Sequence, residues 1–356
     1  MAKPLYNTFR VLHERRKLTV GYFGGSITEG SGASDPAKSS WRALTTSWFR
    51  RSYPECEISE IQAAIGGTGS DLGVCRCRTD LLSGEPDLVF IEFAVNDYKK
   101  DEDLILRSME GIVRQIWNHN ADADIVFVYT ITKVMAETYE FDSAPDTVVL
   151  HQKIADFYAI PSVNLGKKLW QYVGSGSSTW EELLPDAVHP SDKGYQIYAD
   201  EMQKFLSACI APGPVERKLD GYVTSSACDR GRLVDAWELL QEPWEKDSSS
   251  LARRYPHMLV SGTPGAELHY TFQGSFIGLY WLIAPDSGDI EWSVDGSKAR
   301  RQSSWDKHAL KFTRAGYCIL DHNLDPGEHV LTIKVLQEKQ PQSEGNWIRI
   351  GAVLVD

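Results

Sequence analysis

The chain has 356 residues, more than one typical core holds, and at about 150 residues per domain it implies two folded units. With 42% hydrophobic and 24% charged residues it has a globular composition, which excludes disorder over most of its length. A formal charge of −12 without a Lys/Arg-rich block argues against nucleic acid or anionic lipid as partners. No signal-like leader and no run of about 18 apolar residues is present, which predicts a soluble, cytoplasmic chain with no membrane partner.

Up to about residue 210, short apolar runs alternate with amphipathic stretches, the pattern of an α/β layer fold. Leu18 to Phe23 is predicted as a buried parallel strand running into Gly24-Gly-Ser26-Ile-Thr-Glu-Gly30. Ile58 to Ile65 is a second strand, followed by Gly66-Gly67-Thr68-Gly69. Leu88 to Phe93 is a third, with Asn96 just beyond it in Phe93-Ala-Val-Asn96-Asp97. Ile105, Met109, Ile112 and Ile116 then recur at helical spacing, and Ile125 to Thr130 completes a β-α-β unit. A last helix is predicted after the N-cap Ser191, with Tyr195, Tyr198, Met202, Phe205 and Cys209 on one face. Ala211-Pro-Gly-Pro214 breaks it and is taken as the domain boundary.

Beyond that point the apolar period becomes two. Ile290, Trp292 and Val294 precede an Asp295-Gly296 turn, Leu331, Ile333 and Val335 follow Asp325-Pro-Gly327, and Ile348, Ile350, Ala352 and Leu354 form a final alternating run. An antiparallel β-sandwich over 215–356 is therefore expected. The six cysteines lack paired CxxC spacings or neighbouring histidines that would suit zinc, and read as free or buried thiols.

The segment Asp186-Ala-Val-His189-Pro190 gives Ser26 its meaning. A serine hydroxyl needs a base within hydrogen-bond reach, and that base needs a carboxylate to fix its tautomer. Three-residue spacing lets one short turn present both Asp186 and His189. Acyl transfer also needs donors for the developing oxyanion, which a backbone N–H in Gly66–Gly69 and the Asn96 amide could supply. Alone, each segment has a plain alternative as a connecting loop, a turn or a cap.

Together and in this order, the four segments resemble the SGNH (GDSL-like) hydrolase superfamily, named for Ser, Gly, Asn and His in four sequence blocks. The resemblance spans residues 18 to 206. It implies Ser26 as nucleophile, Asp186 and His189 as its partners, and an oxyanion hole of the Ser26 backbone N–H, Gly67 and Asn96. It further implies a flavodoxin-like sheet of five parallel strands between helices, with no metal or organic cofactor. The chain has Gly-Gly-Ser-Ile in place of Gly-Asp-Ser-Leu, Gln62 where Asn is common, and Ala94 where Gly is usual. None of these removes a group that would touch a reacting carbonyl. The α/β-hydrolases share the order Ser, Asp, His but require G-x-S-x-G, and position 28 here is Thr.

A SGNH domain (1–210) followed by a sandwich (215–356) is similar to the family 17 carbohydrate esterases, acetyl-mannan deacetylases with a carbohydrate-binding-like module. This implies an acetylated oligosaccharide as substrate. Sugar rings stack on aromatic faces, and Trp305 with Asp306 in the polar Ser303–His308 loop, and Trp41 after the nucleophile, are the candidate contacts. Trp292 and Trp347, set in strands, are expected in the core. The alternatives are a lysophospholipase or thioesterase of the same superfamily and, in another class, a non-catalytic carbohydrate-binding protein.

Overall fold

A computed structural model describes residues 5–209, 219–224, 228–248 and 256–356. The chain divides into two compact units, Met1–Asp229 and Arg230–Asp356. Ala211–Pro214, the boundary expected from sequence, lies outside the described residues.

The first unit is built on a five-stranded sheet of β1 (Lys17–Gly24), β2 (Glu57–Gln62), β3 (Leu88–Glu92), β4 (Asp124–Tyr129) and β5 (Ser162–Asn164). All neighbours run parallel, in the order β2-β1-β3-β4-β5. Alternate residues serve opposite faces. Leu18, Val20, Tyr22, Leu88, Phe90, Val126 and Val128 join one core with Trp41, Phe49, Tyr195, Tyr198 and Met202 from the helices above it. The intervening Val89, Ile91, Ile125 and Phe127 are equally buried, which is why these strands read as unbroken apolar runs. Helix Glu102–His119 carries the predicted face, with Ile105, Met109, Ile112 and Ile116 all buried.

Strand order reverses at β1/β3, so the carboxyl ends of β1 and β3 open the crevice where such sheets place their sites. The last helix, Asp192–Ala208, is capped as the sequence suggests, the Ser191 hydroxyl accepting from the Gly194 N–H at 3.3 Å.

The second unit is an antiparallel sandwich. One sheet holds β6 (Arg232–Asp235), β7 (Glu245–Asp247), β8 (Met258–Ser261), β10 (Ile277–Ile283), β13 (Arg314–Asp321) and β15 (Ile348–Val355). The other holds β9 (Glu267–Gly274), β11 (Asp289–Val294), β12 (Arg300–Ser303) and β14 (Gly327–Val335). Leu279, Trp281 and Ile350 of the first meet Ile290, Trp292, Leu331 and Ile333 of the second in a single core. At the end of β11, Asp295 and Gly296 both have positive φ (53° and 67°), the pair a type I′ turn requires.

The β15 alternation predicted from sequence is corrected. Ile348 and Ile350 face the core, but from there on Val353 and Val355 do, rather than Ala352 and Leu354. A bulge is the reason: Tyr280 pairs Ala352 while Trp281 pairs Ile350, so Gly351 is the extra residue and the side-chain phase inverts.

Candidate active site

Strand β1 ends by delivering Gly24-Gly25-Ser26 into the short helix Ser26–Glu29, which Gly30 closes in the left-handed conformation (φ 105°). The Asn96 side chain lies against Gly25 so closely that a Cβ there has no room. Glycine at 25 is thus what lets the third segment approach the first.

His189 Nε2 lies 2.8 Å from Ser26 Oγ, and His189 Nδ1 lies 2.6 Å from Asp186 Oδ2. A carboxylate can only accept, so Nδ1 carries its proton toward Asp186 and Nε2 is left to accept from the serine hydroxyl. The other Asp186 oxygen takes the backbone N–H groups of Val188 (3.0 Å) and His189 (2.7 Å). Burial raises the Asp186 pKa, but these N–H groups and the imidazole outweigh it and hold the carboxyl below its ordinary value. The turn is tight enough to force Ala187, a residue with a Cβ, to φ 67°.

Partners 163 positions apart in sequence are brought together by the last helix. Asp192 accepts from the Ser34 N–H at 2.8 Å, and the Tyr195 hydroxyl donates to the carbonyls of Ile27 (3.0 Å) and Ser31 (2.7 Å). Gly32, at φ 89°, packs so close to His189 and Pro190 that a Cβ would strike the Pro190 carbonyl.

Next to Ser26, Gly66 donates its N–H to Glu29 at 2.9 Å and Gly67 turns at φ 74°. Asn96 lies in the one-turn helix Ala94–Asp97 at the end of β3 and is half-buried. Asp97, fully buried, ties these two segments. Its carboxylate accepts from the Ser70 N–H (2.9 Å) and pairs with the buried His151 (3.0 Å), while Lys100 stands 3.6 Å away. Burial opposes the charge, but His151 and Lys100 keep the Asp97 carboxyl below its usual value.

Close to Ser26, Glu92 is 1% exposed and accepts from Thr130 (2.6 Å) and Thr28 (2.9 Å). Burial pushes its carboxyl up to about 7, the hydroxyls of Thr130 and Thr28 oppose that, and the Asp97 charge adds to it. Sequence reasoning missed Glu92, Asp97, His151 and Arg76. For Glu92 a signal existed, a carboxylate closing the apolar run Leu88-Val-Phe-Ile; for His151 there was none, because helical spacing does not say what a helix faces.

The aromatic candidates fall differently from expectation. Trp41 is 0% exposed, its ring edge-on to Tyr22 and Phe90 in the core, so its surface is closed to a ligand. Its position on the core face of helix Trp41–Ser52 overrides its nearness in sequence to Ser26. Trp305 is partly buried against the sandwich core, and Asp306 caps the turn Lys307–Leu310 and pairs with Arg314. Trp292 is buried as expected. Trp347 is not: it is 41% exposed, resting on Gly262, where the absent side chain leaves room for an indole.

Residues 22–197 match the model of the GDSL-like lipase/acylhydrolase family. The first unit of this chain belongs to that family. The GDSL-like unit and the sandwich also match, as a pair, the crystal structure of a two-domain esterase active on acetylated mannans, co-crystallized with mannopentaose. The TM-score is 0.86 at 22% identity, over 99% of this chain and 95% of the other, a likeness of fold. An acetyl xylan esterase from Geobacillus stearothermophilus aligns with 55% of this chain and 97% of its own, at 19% identity and TM-score 0.43. No curated protein matches the chain by sequence. Among the described residues, no helix is long and apolar enough to cross a membrane.

Proposed function

We propose that this GDSL-like hydrolase is a serine esterase that removes O-acetyl groups from carbohydrates, with acetylated manno-oligosaccharides as its substrates. The observation that carries the reading is the unbroken chain Ser26 Oγ, His189, Asp186 at 2.8 and 2.6 Å, set at the carboxyl end of a parallel strand. His189 Nε2 takes the Ser26 proton as Oγ bonds to the acetyl carbonyl carbon. The oxyanion is held by the N–H groups of Ser26 and Gly67 and by the Asn96 amide. As the tetrahedral intermediate collapses, the ester C–O bond breaks and His189 returns the proton to the departing sugar oxygen. Water, deprotonated by the same imidazole, then attacks the acetyl-enzyme, releasing acetate and restoring the serine.

The sugar enters the proposal from the two-domain esterase, whose fold this chain shares along nearly its whole length. The sandwich is assigned as a carbohydrate-binding-like unit, in which Trp347, with its exposed face, now stands before Trp305 and Asp306 as a platform.

The test is mass spectrometry of acetylated manno-, xylo- and chito-oligomers after incubation with the enzyme. Loss of acetyl groups from the manno-oligomers, abolished by Ser26→Ala, is the expected result. Faster cleavage of octanoate than acetate esters would turn the reading toward a lysophospholipase or thioesterase. Full activity in a folded Ser26→Ala would end the serine mechanism.

A further inference from the structure

The turn that leads into Ser26 is held by two buried side chains, Arg76 and Glu92. The Gly24 carbonyl accepts from Arg76 Nη2 at 3.1 Å. Arg76 is 0% exposed, stacks over Phe23 at 4.6 Å and also reaches the Ala63 carbonyl, so it joins the ends of β1 and β2. Glu92 takes Thr28, two residues beyond the serine, on one oxygen and Thr130, just past β4, on the other. The Ser26 backbone is thereby fixed to four strand ends.

We infer that Glu92 and Arg76 are positioning residues for the nucleophile, Arg76 through the Gly24 carbonyl and Glu92 through Thr28 holding the turn that carries Ser26. The inference rests on the serine-esterase reading. Neither side chain touches substrate; both act through where they hold Ser26 relative to His189 and the oxyanion donors. A carboxyl group suits the place because its two oxygens meet the Thr28 and Thr130 hydroxyls, one on each. Bare glycines before Ser26 make the clamp necessary, since that stretch has no side chain of its own to pack.

Glu92→Leu fills the volume but accepts nothing, Glu92→Gln keeps an acceptor, and Thr28→Val removes one donor at constant shape. On an aryl acetate, Glu92→Leu should lower kcat by about 30- to 100-fold with KM little changed, since small displacements of reacting groups cost on this scale. Glu92→Gln should recover most of that, and Thr28→Val should lower kcat about 3-fold alone but add nothing to Glu92→Leu, as members of one network do. The rate at which a fluorophosphonate labels Ser26 should fall in parallel with kcat, a change that loss of stability alone would not produce in folded protein.

Unchanged kcat and labelling in a folded Glu92→Leu overturns the inference. Should that variant not fold, unchanged kcat and labelling in Thr28→Val overturns it equally. Ser26→Ala, run alongside, separates this from the reading beneath it. An active Ser26→Ala removes the serine mechanism itself, whereas an inactive one beside a fully active Glu92→Leu removes only the clamp.

Discussion

Asn96 is held against Gly25 and half-buried, and in the proposed mechanism its amide meets the oxyanion. Asn96→Ala should therefore lower kcat by about 100- to 1000-fold with a small change in KM, measured on an aryl acetate. Glu92 makes a separate prediction for stability. Its folded pKa, about 7, lies above the ordinary 4.5, so the folded chain keeps a proton that the unfolded chain has released. Its contribution is complete below about pH 4.5 and is lost as pH rises through about 7. The depressed carboxyls Asp97 and Asp186 act in the opposite sense, their contribution fading only as pH falls below about 4. Calorimetry should show Tm declining between about pH 5 and pH 8, with Glu92→Gln flattening the decline. A slope unchanged in Glu92→Gln would place the titration elsewhere.

At the scale of elements, the site is a meeting of strand ends and one helix start. Helix Asp192–Ala208 begins directly after the His189 loop, so its cap and the site are one construction. Ser191→Ala removes the hydroxyl that accepts from Gly194 and also its own bond to the Glu182 carbonyl (2.6 Å). Denaturant melts should record a loss of about 1 kcal/mol. These elements were readable in sequence because each carries a strong local signal. Leu18 to Phe23 is mostly apolar and stops at glycines, and Ser191 precedes a face repeating at three and four. The phase of β15 was not, because Gly351 bulges only in relation to β10, and no residue of β15 announces its partner.

At the scale of the whole molecule, each unit encloses its own core. Trp292 sits at 6% exposure in the sandwich core, and Trp292→Ala should cost about 3–5 kcal/mol, seen as a lower melting transition. Trp347 offers its indole to solvent instead, and if it stacks on sugar, Trp347→Ala should weaken mannopentaose binding about five-fold by titration calorimetry. No change in affinity would return the platform to Trp305.

By itself, the sequence determined the two architectures and the order of the four segments that carry the proposed site residues Ser26, Gly67, Asn96, Asp186 and His189. Residue type, local period and turn chemistry carry that information, and all three are properties of short stretches. What only the tertiary structure decided is what lies behind and beside those residues. Glu92, Arg76, Asp97 and His151 come from separate strands and helices, and the differing burial of Trp41, Trp305 and Trp347 follows from which face each indole met. Burial and partnership belong to pairs of elements, and a pair has no signature in either sequence alone.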